Sequence, residues 1–149
     1  MGFLDAMDIS ASGLTAQRLR MDTISSNLAN AESTRTAGGS GPYRRQVVVF
    51  EAKKHAPSPF AALLGEKMST IGGVRVKEIR QLSDAEAPLR RVYEPGHPDA
   101  DAEGYVNYPN VNVVEEMINL VSSTRAYQAN AQVIDGIKAM ALKALEIGK

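Results

Sequence analysis

The stretch at residues 113–147 reads VVEEMINLVSSTRAYQANAQVIDGIKAMALKALEI, and it decides the fold of this chain. Its apolar and small residues alternate at intervals of three and four, the spacing that places side chains on one face of an α-helix. Gly148 follows, where such a helix ends. At roughly 1.5 Å per residue the helix exceeds about 50 Å, more than a small sheet can cover. The predicted stripe contains Met117, Leu120, Thr124, Tyr127, Ala131, Ile134 and Lys138.

A second helical pattern lies near the start of the chain. It covers about 25 residues, or about 37 Å, and Gly13 interrupts it at a cost of about 1 kcal/mol relative to alanine. We expect a long amphipathic helix here as well. Its apolar residues recur every seventh position, with two more in between: Met7, Leu14, Met21 and Leu28, then Ala11 and Ile24.

Between the two helical patterns the sequence changes to short β-type segments. Residues 32–42 are rich in Gly, Ser and Thr and predict a flexible loop. Val47–Phe50, Val74–Ile79 and Leu89–Tyr93 are predicted strands of a small antiparallel sheet, and residues 94–104 are a predicted loop.

These patterns predict an α+β fold with three segments. Residues 1–32 form an N-terminal assembly helix, residues 33–111 a loop and a small β-rich middle region, and residues 112–149 a C-terminal assembly helix. We expect the two amphipathic helices to pack as an antiparallel pair resembling a coiled coil, with the small antiparallel β region between them.

Composition excludes several classes of protein. The chain has no cysteine, so it offers no disulfide, thiolate metal site or thiol nucleophile. Its formal net charge of zero and its 5% aromatic residues argue against a nucleic-acid binder. The first residues lack the basic and apolar regions of a secretory signal, and no stretch approaches transmembrane length. If the protein leaves the cytoplasm, we expect a route that reads another signal.

Two motifs resemble ligand sites. Residues 99–104 read DADAEG, like the opening of a calcium loop, but the twelfth position is Asn110 instead of glutamate. We therefore predict a solvated acidic turn. The glycine-rich residues 38–41 follow a helix and precede a strand, which is the reverse of a phosphate-binding loop.

The candidates for catalysis are few. The only histidines are His55 and His97, and we expect both in exposed loops, although His97 lies near Asp99. There is no Gly-x-Ser-x-Gly motif. We predict no catalytic, cofactor-binding or metal-binding residue. A metal-dependent hydrolase built on residues 97–103 remains an alternative, which stoichiometric metal and loss of function on replacing Asp99 or Asp101 would support.

Both ends of the chain closely resemble the flagellar basal-body rod and hook family. The resemblance rests on SGLTAQRLR at residues 12–20 and NLANA at 27–31, and on STRAYQAN at 123–130 and KALEIGK at 143–149. Connecting segments at 41–45, 99–106 and 109–112 agree, so it covers nearly the whole chain. The Gly-Phe pair usual in hook and distal-rod members is missing after Thr34, which favours the short proximal type, and Val113 stands where that type often has proline.

This resemblance implies a structural subunit and not an enzyme. It implies export by the flagellar type III apparatus without a cleaved signal peptide, and helical assembly in the periplasmic rod to transmit torque. The implied partners are copies of itself, other flagellar rod subunits, the export apparatus and basal-body ring proteins, with no nucleic acid and no small-molecule substrate.

The predicted assembly interface follows from the two amphipathic stripes together with the polar residues of the motifs. The stripes are too long to be satisfied by the middle region, so neighbouring copies must cover part of them, and the polar residues would fix register between helices. The alternatives are an intramolecular helical hairpin and a small cytosolic adaptor that binds a single partner. The predicted interface residues are Met7, Leu14, Arg18, Met21, Asn27, Leu28, Asn30, Met117, Leu120, Arg125, Tyr127, Asn130 and Ile134.

Overall fold

The computed structural model describes residues 3–36, 41–53 and 72–147. Two long helices, α1 (Phe3–Ala29) and α2 (Val113–Ile147), flank the strands in sequence. The strands are β1 (Gln46–Ala52), β2 (Val74–Gln81), β3 (Arg90–Tyr93) and β4 (Tyr105–Tyr108). This arrangement confirms the predicted α+β fold with a small antiparallel β region between terminal helices.

The two helices pack against each other in opposite directions. Asn27, near the end of α1, reaches Glu116 at the start of α2. Further along, the Thr124 hydroxyl lies 3.5 Å from the Met21 sulfur, and Gly13 lies against the Asn130 side chain. Residue numbers therefore fall along α1 as they rise along α2, and the pair is antiparallel as predicted.

Most of the buried residues of the two helices are small or polar, and Ile24 and Ile137 are the large aliphatic exceptions. Small side chains let the two backbones approach closely, and larger apolar residues then flank the contact instead of filling it. The heptad residues Met7, Leu14, Met21 and Leu28 are accordingly half-buried, and Ala11 is exposed. The buried residues of α1 are Ser10, Gly13, Ala16, Thr23, Ile24 and Asn27, and those of α2 are Glu116, Ser123 and Ile137.

The start of α2 is fixed by a capping residue. The Asn112 Oδ1 atom accepts hydrogen bonds from the backbone N–H groups of Val114 and Glu115, at 3.1 and 3.3 Å. Such a cap satisfies donors that the first helical turn leaves unpaired. Glu115 and Glu116 in that turn are favourably placed near the positive end of the helix dipole. The helix limits match the predicted 113–147.

Along the parts of the chain that the structure describes, no helix is both long and apolar enough to cross a membrane.

The strands form two separate two-stranded sheets. β1 pairs with β2, with a bulge between Val49 and Phe50, and β3 pairs with β4 from Arg90↔Tyr108 to Tyr93↔Tyr105. The prediction of one sheet was wrong, and β4 was not predicted. A four-residue strand with a single fully buried side chain, Val106, is too short to give a periodic signal.

The β1–β2 sheet is held to α1 through Ser12. Its hydroxyl donates to the Ile9 carbonyl at 2.6 Å and accepts the Val74 N–H at 3.0 Å. A side chain at Gly73 would place its Cβ 2.0 Å from the same Ser12 oxygen. Glycine at 73 therefore permits the close approach that brings β2 to the helix.

Replacing Gly13 with leucine should destabilise the fold, whereas the same change at Gly136 should not. A Cβ at Gly13 lies 2.9 Å from the Asn130 side chain, whereas a Cβ at Gly136 meets open space. We expect Gly13→Leu to lower the free energy of unfolding by about 1–3 kcal/mol and Gly136→Leu to leave it unchanged or raise it by up to about 1 kcal/mol. Urea denaturation followed by far-ultraviolet circular dichroism measures both, and equal stabilities would contradict the close contact.

Candidate assembly interface

Asn27 joins three parts of the chain through one buried side chain. Its Nδ2 atom donates to the Gln46 carbonyl at 2.8 Å and to Glu116 Oε2 at 3.2 Å. Its Oδ1 atom accepts from the Tyr43 hydroxyl and from the Gln46 N–H, both at 2.9 Å. Two donors and two acceptor positions are all that an amide offers, so its hydrogen-bonding capacity is filled. We call this set the Asn27 junction.

A buried ion pair extends the Asn27 junction to α2. Glu116 is only 1% exposed, and its Oε1 accepts from Arg45 Nε at 2.9 Å and from Arg45 Nη2 at 2.5 Å. Burial alone lowers the pKa of Arg45, but hydrogen bonds and charge from Glu116, with a smaller contribution from Glu115, raise it above its usual value. Arg45 therefore remains charged, and removing it would leave the buried Glu116 carboxylate without its ion-pair partner.

Asp99 ties the segment after α1 to the β3–β4 hairpin. Its carboxylate accepts a 2.6 Å hydrogen bond from the Thr34 hydroxyl and forms an ion pair with Arg35. The Thr34 hydrogen bond is the largest cause of a lowered Asp99 pKa, and Arg35 acts in the same direction, against the opposing effect of burial. This contact holds the hairpin close to the end of α1.

The acidic loop between β3 and β4 is held by the protein's own groups. Asp101 Oδ1 accepts the backbone N–H groups of Glu103 and Tyr105, and Arg91 bonds to Asp101 at 2.8 Å and to Glu103 at 3.0 Å. The Tyr105 hydrogen bond is the largest cause of a lowered Asp101 pKa. In residues 3–36, 41–53 and 72–147, no three His, Cys, Asp or Glu side chains are grouped to hold a metal ion.

His97 and Gly41 make local structural contacts. The His97 Nδ1 atom accepts the Asp99 N–H at 3.1 Å, so the ring bonds to the Asp99 backbone and not to its carboxylate. The rings of His97 and Tyr108 pack against each other in an edge-to-face arrangement. His55 and residues 38–40 lie outside the described residues. Gly41 adopts a left-handed φ of 96° and accepts the Thr36 N–H in the turn after α1.

The outer face of α2 carries large apolar side chains that nothing in the described chain covers. Val114 is 65% exposed, Ile118 64% and Val121 52%. Together with Met117, Ser122 and Arg125 they line a shallow groove, which we call the α2 groove. Contiguous exposed apolar side chains make this groove a candidate site of association.

The last turns of α2 form a second uncovered region. Because Gly13 faces Asn130 and α1 begins at Phe3, α2 extends past the first turn of α1. Apolar residues in this overhang remain exposed, including Leu145 at 70% and Ile147 at 81%. Association with other chains is the means by which these residues could leave water.

The structure brings some of the predicted interface residues together. Asn27 lies in the junction, Asn130 packs on Gly13, and Met21 contacts Thr124. Met117 is 51% exposed at the α2 groove, with Arg125 exposed at its end. Arg18 is exposed on α1. The remaining predicted residues are half-buried around the helix contact: Met7, Leu14, Leu28, Asn30, Leu120, Tyr127 and Ile134.

Sequence reasoning missed the partners of Asn27 and most of the α2 groove. Tyr43 and Arg45 lie in the GPYRR run at residues 41–45, which was noted only as a resemblance. Glu116 shows no signal, because a glutamate in the first turn of a helix is usually exposed. The groove could have been found from the apolar residues that surround the start of α2, which exceed a single stripe.

The fold and these surfaces are typical of a structural subunit. A sequence model of the family described as "Flagella basal body rod protein" matches residues 7–35, and one described as "Flagellar basal body rod FlgEFG protein C-terminal" matches residues 102–147. Flagellar basal-body rod protein FlgC of Bacillus subtilis is 46% identical over 97% of both chains. FlgC of Escherichia coli O6:H1 is 44% identical over the full length of both, and FlgC of Aquifex aeolicus is 37% identical over 100% of this chain and 99% of its own.

The chain therefore belongs to the FlgC family of flagellar basal-body rod proteins. The N-terminal match covers α1 from residue 7 onward and the segment that follows it, and the C-terminal match contains β4 and α2. Both halves of the helix pair thus lie within regions typical of the family. The structural character of these relatives fits a role without catalysis.

Removing the Asn27 side chain should destabilise the folded chain. Asn27→Ala leaves the Gln46 backbone and the buried Glu116 with unmet hydrogen bonds, so we expect the free energy of unfolding to fall by about 2–3 kcal/mol. Asn30→Ala is the matched control, because the half-buried Asn30 amide makes only local contacts in the described chain. It donates to the Ser26 carbonyl and accepts from the Ser33 hydroxyl, so its loss should cost about 1 kcal/mol or less. Chemical denaturation of dilute protein compares them, and similar losses would refute the Asn27 junction.

Acid should weaken the Asp99 contact. The Asp99 pKa in the folded protein lies below its ordinary value of 3.8. The ionised carboxylate therefore contributes its full stabilisation above pH 3.8, and this stabilisation disappears as the pH falls through the lower pKa of the folded protein. We expect Asp99→Asn to reduce the loss of stability between pH 5 and 2.5, and Thr34→Val to reduce it in part. Thermal unfolding across this range measures the effect, and an unchanged pH dependence in Asp99→Asn would be incompatible with it.

Proposed function

We propose that this chain is a structural subunit of the proximal flagellar rod that polymerises helically with other rod subunits and with copies of itself. The observation that carries this proposal is the α2 groove, where Val114, Ile118 and Val121 are more than half exposed. Family membership supports the same role. Burying such side chains contributes on the order of 1.5–3 kcal/mol each, so association stabilises the helices that the monomer leaves partly exposed.

The terminal helices would serve as the assembly segments, residues 1–32 and 112–149, with residues 33–111 as the middle region. The predicted interface residues fall into two groups. Met117 and Arg125 border the α2 groove, and Arg18 lies on the outer surface of α1. Asn27 and Asn130 would act indirectly, because they set how α1 and α2 pack within each copy.

Torque transmission requires that force on one part of a subunit reach the others. The Asn27 junction supports this role, because one buried amide and one buried ion pair link α1, the segment before β1 and α2. The Asp99 contact adds a second link between α1 and the β3–β4 hairpin. A subunit braced at two places deforms less under load than one joined by single loops.

Delivery would follow the route of the family, through the flagellar type III export apparatus and without a cleaved signal peptide. The subunit would then assemble in the periplasm against basal-body ring proteins and earlier rod subunits. The absence of cysteine supports this route, because no disulfide can hold the chain folded during passage. The competing adaptor hypothesis predicts a fixed monomer or dimer at every concentration.

Reducing the apolarity of the α2 groove should impair assembly without unfolding the subunit. Ile118→Ser removes a side chain that is 64% exposed, so the stability of the monomer should change little. Sedimentation of the purified chain should show growth to large species with concentration, and the variant should require about ten- to one-hundredfold more protein.

Ile79→Ser is the control for this experiment, since Ile79 is an exposed isoleucine on β2 and lies away from the groove. It should assemble like the unmodified chain. A single small species for the unmodified chain at all concentrations would favour the adaptor.

A further inference from the structure

We propose that the α2 groove binds the outer face of α1 from a second copy of this chain, with the helices antiparallel and Asp8 of that copy paired with Arg125. This contact rests on the proposed function, and it specifies which surfaces meet and in which register.

Arg125 and Asp8 are both exposed. Neither side chain forms a hydrogen bond or an ion pair with any part of the chain that the structure describes. They do not meet within one chain, because Gly13 faces Asn130 and the helices are antiparallel, so Asp8 lies beyond Asn130 along α2. Arg125 borders an apolar groove, where a carboxylate would be attracted more strongly than in open water.

The outer face of α1 has the shape that the groove requires. Asp8, Ala11, Thr15 and Arg18 are all exposed and follow the three-four spacing of one stripe. Between the charged residues Asp8 and Arg18, the side chains of this stripe are small. The Thr15 hydroxyl donates to the Ala11 carbonyl of its own helix, so covering it leaves no unpaired donor.

Setting Asp8 opposite Arg125 fixes the other contacts. With the helices antiparallel, Ala11 comes level with Ser122, next to Val121, and Thr15 comes level with Ile118. The large exposed side chains of α2 thus meet the small side chains of α1, which is the size complementarity that lets helices pack closely. The charged pair then fixes the register of an otherwise apolar contact.

The direction of this contact determines the kind of assembly. α1 and α2 are antiparallel within each chain, so an antiparallel contact between chains gives both copies the same orientation. In this register Gly13 comes level with Leu120 of the neighbour, whereas in its own chain it faces Asn130. The second copy is therefore displaced by about 15 Å along the helix. A displaced copy of equal orientation cannot close a pair, and each copy keeps one free surface for the next.

The overhang of α2 is a less suitable occupant of the groove. Its carboxylate, Glu146, already bonds to Lys143 at 2.8 Å. Bringing Glu146 to Arg125 would replace one ion pair with another, and the gain would be small. Asp8 has no such competing partner in the described chain.

A charge exchange between two chains tests the contact. Asp8→Arg and Arg125→Glu should each raise the concentration needed for assembly at least about tenfold, because each places like charges together. An equimolar mixture should recover assembly to within about threefold of the unmodified chain, since each variant then offers a surface that complements the other. Asp22→Arg and Lys138→Glu are the controls. Asp22 lies on the same stripe but falls beyond the start of α2, and Lys138 lies beyond the groove, so both should assemble normally.

The outcomes separate the register from the proposed function. Recovery in the mixture supports the contact, and it cannot arise from misfolding of either variant. Assembly of the unmodified chain without recovery in the mixture overturns the contact and leaves the structural role intact. Recovery only when both changes are in one chain also overturns it, because the pair would then be intramolecular. A chain that never assembles overturns both.

Discussion

The buried amide of Asn27 imposes the constraint on which the rest of the structure depends. An asparagine that is 1% exposed must find partners for two donors and an acceptor oxygen, since each unmet bond costs about 1–3 kcal/mol. The partners come from a tyrosine, a strand backbone and a helix that begins more than eighty residues later. Satisfying this one side chain therefore requires α1, the segment before β1 and α2 to arrive together.

The Asn27 junction also explains why the apolar surface of α2 is left outside. Glu116 and Ser123 point toward α1 and occupy the close contact, which Gly13 and Ala16 keep narrow. Polar and small residues fill the inner surface, so the larger residues Ile118 and Val121 lie on the outer one. A chain built in this way gains specificity from its interior and leaves large apolar side chains exposed on its outer face.

The division between interior and exterior suits a subunit of the FlgC family. A rigid helix pair with a braced middle region can transmit force, and its uncovered faces can add to a growing structure. The same orientation and axial displacement of neighbours, as inferred for the α2 groove, lead to an open series and not a closed dimer. The β3–β4 hairpin, held by Asp99, is braced to the end of α1 rather than to the apolar face of α2.

The sequence by itself determined the two helices, the limits of α2, the β character of the middle region and the resemblance to rod proteins. These follow from local periodicity, from Gly148 where the second helix ends, and from motifs read directly from the chain. Only the tertiary structure decided that Ser10 and Asn27 line the inner face while Ala11 lies outside, that the strands form two sheets, and that Glu116 is buried against Arg45. Periodicity locates a stripe to within about one residue in a turn of 3.6, whereas close packing and long-range hydrogen bonds select which face turns inward.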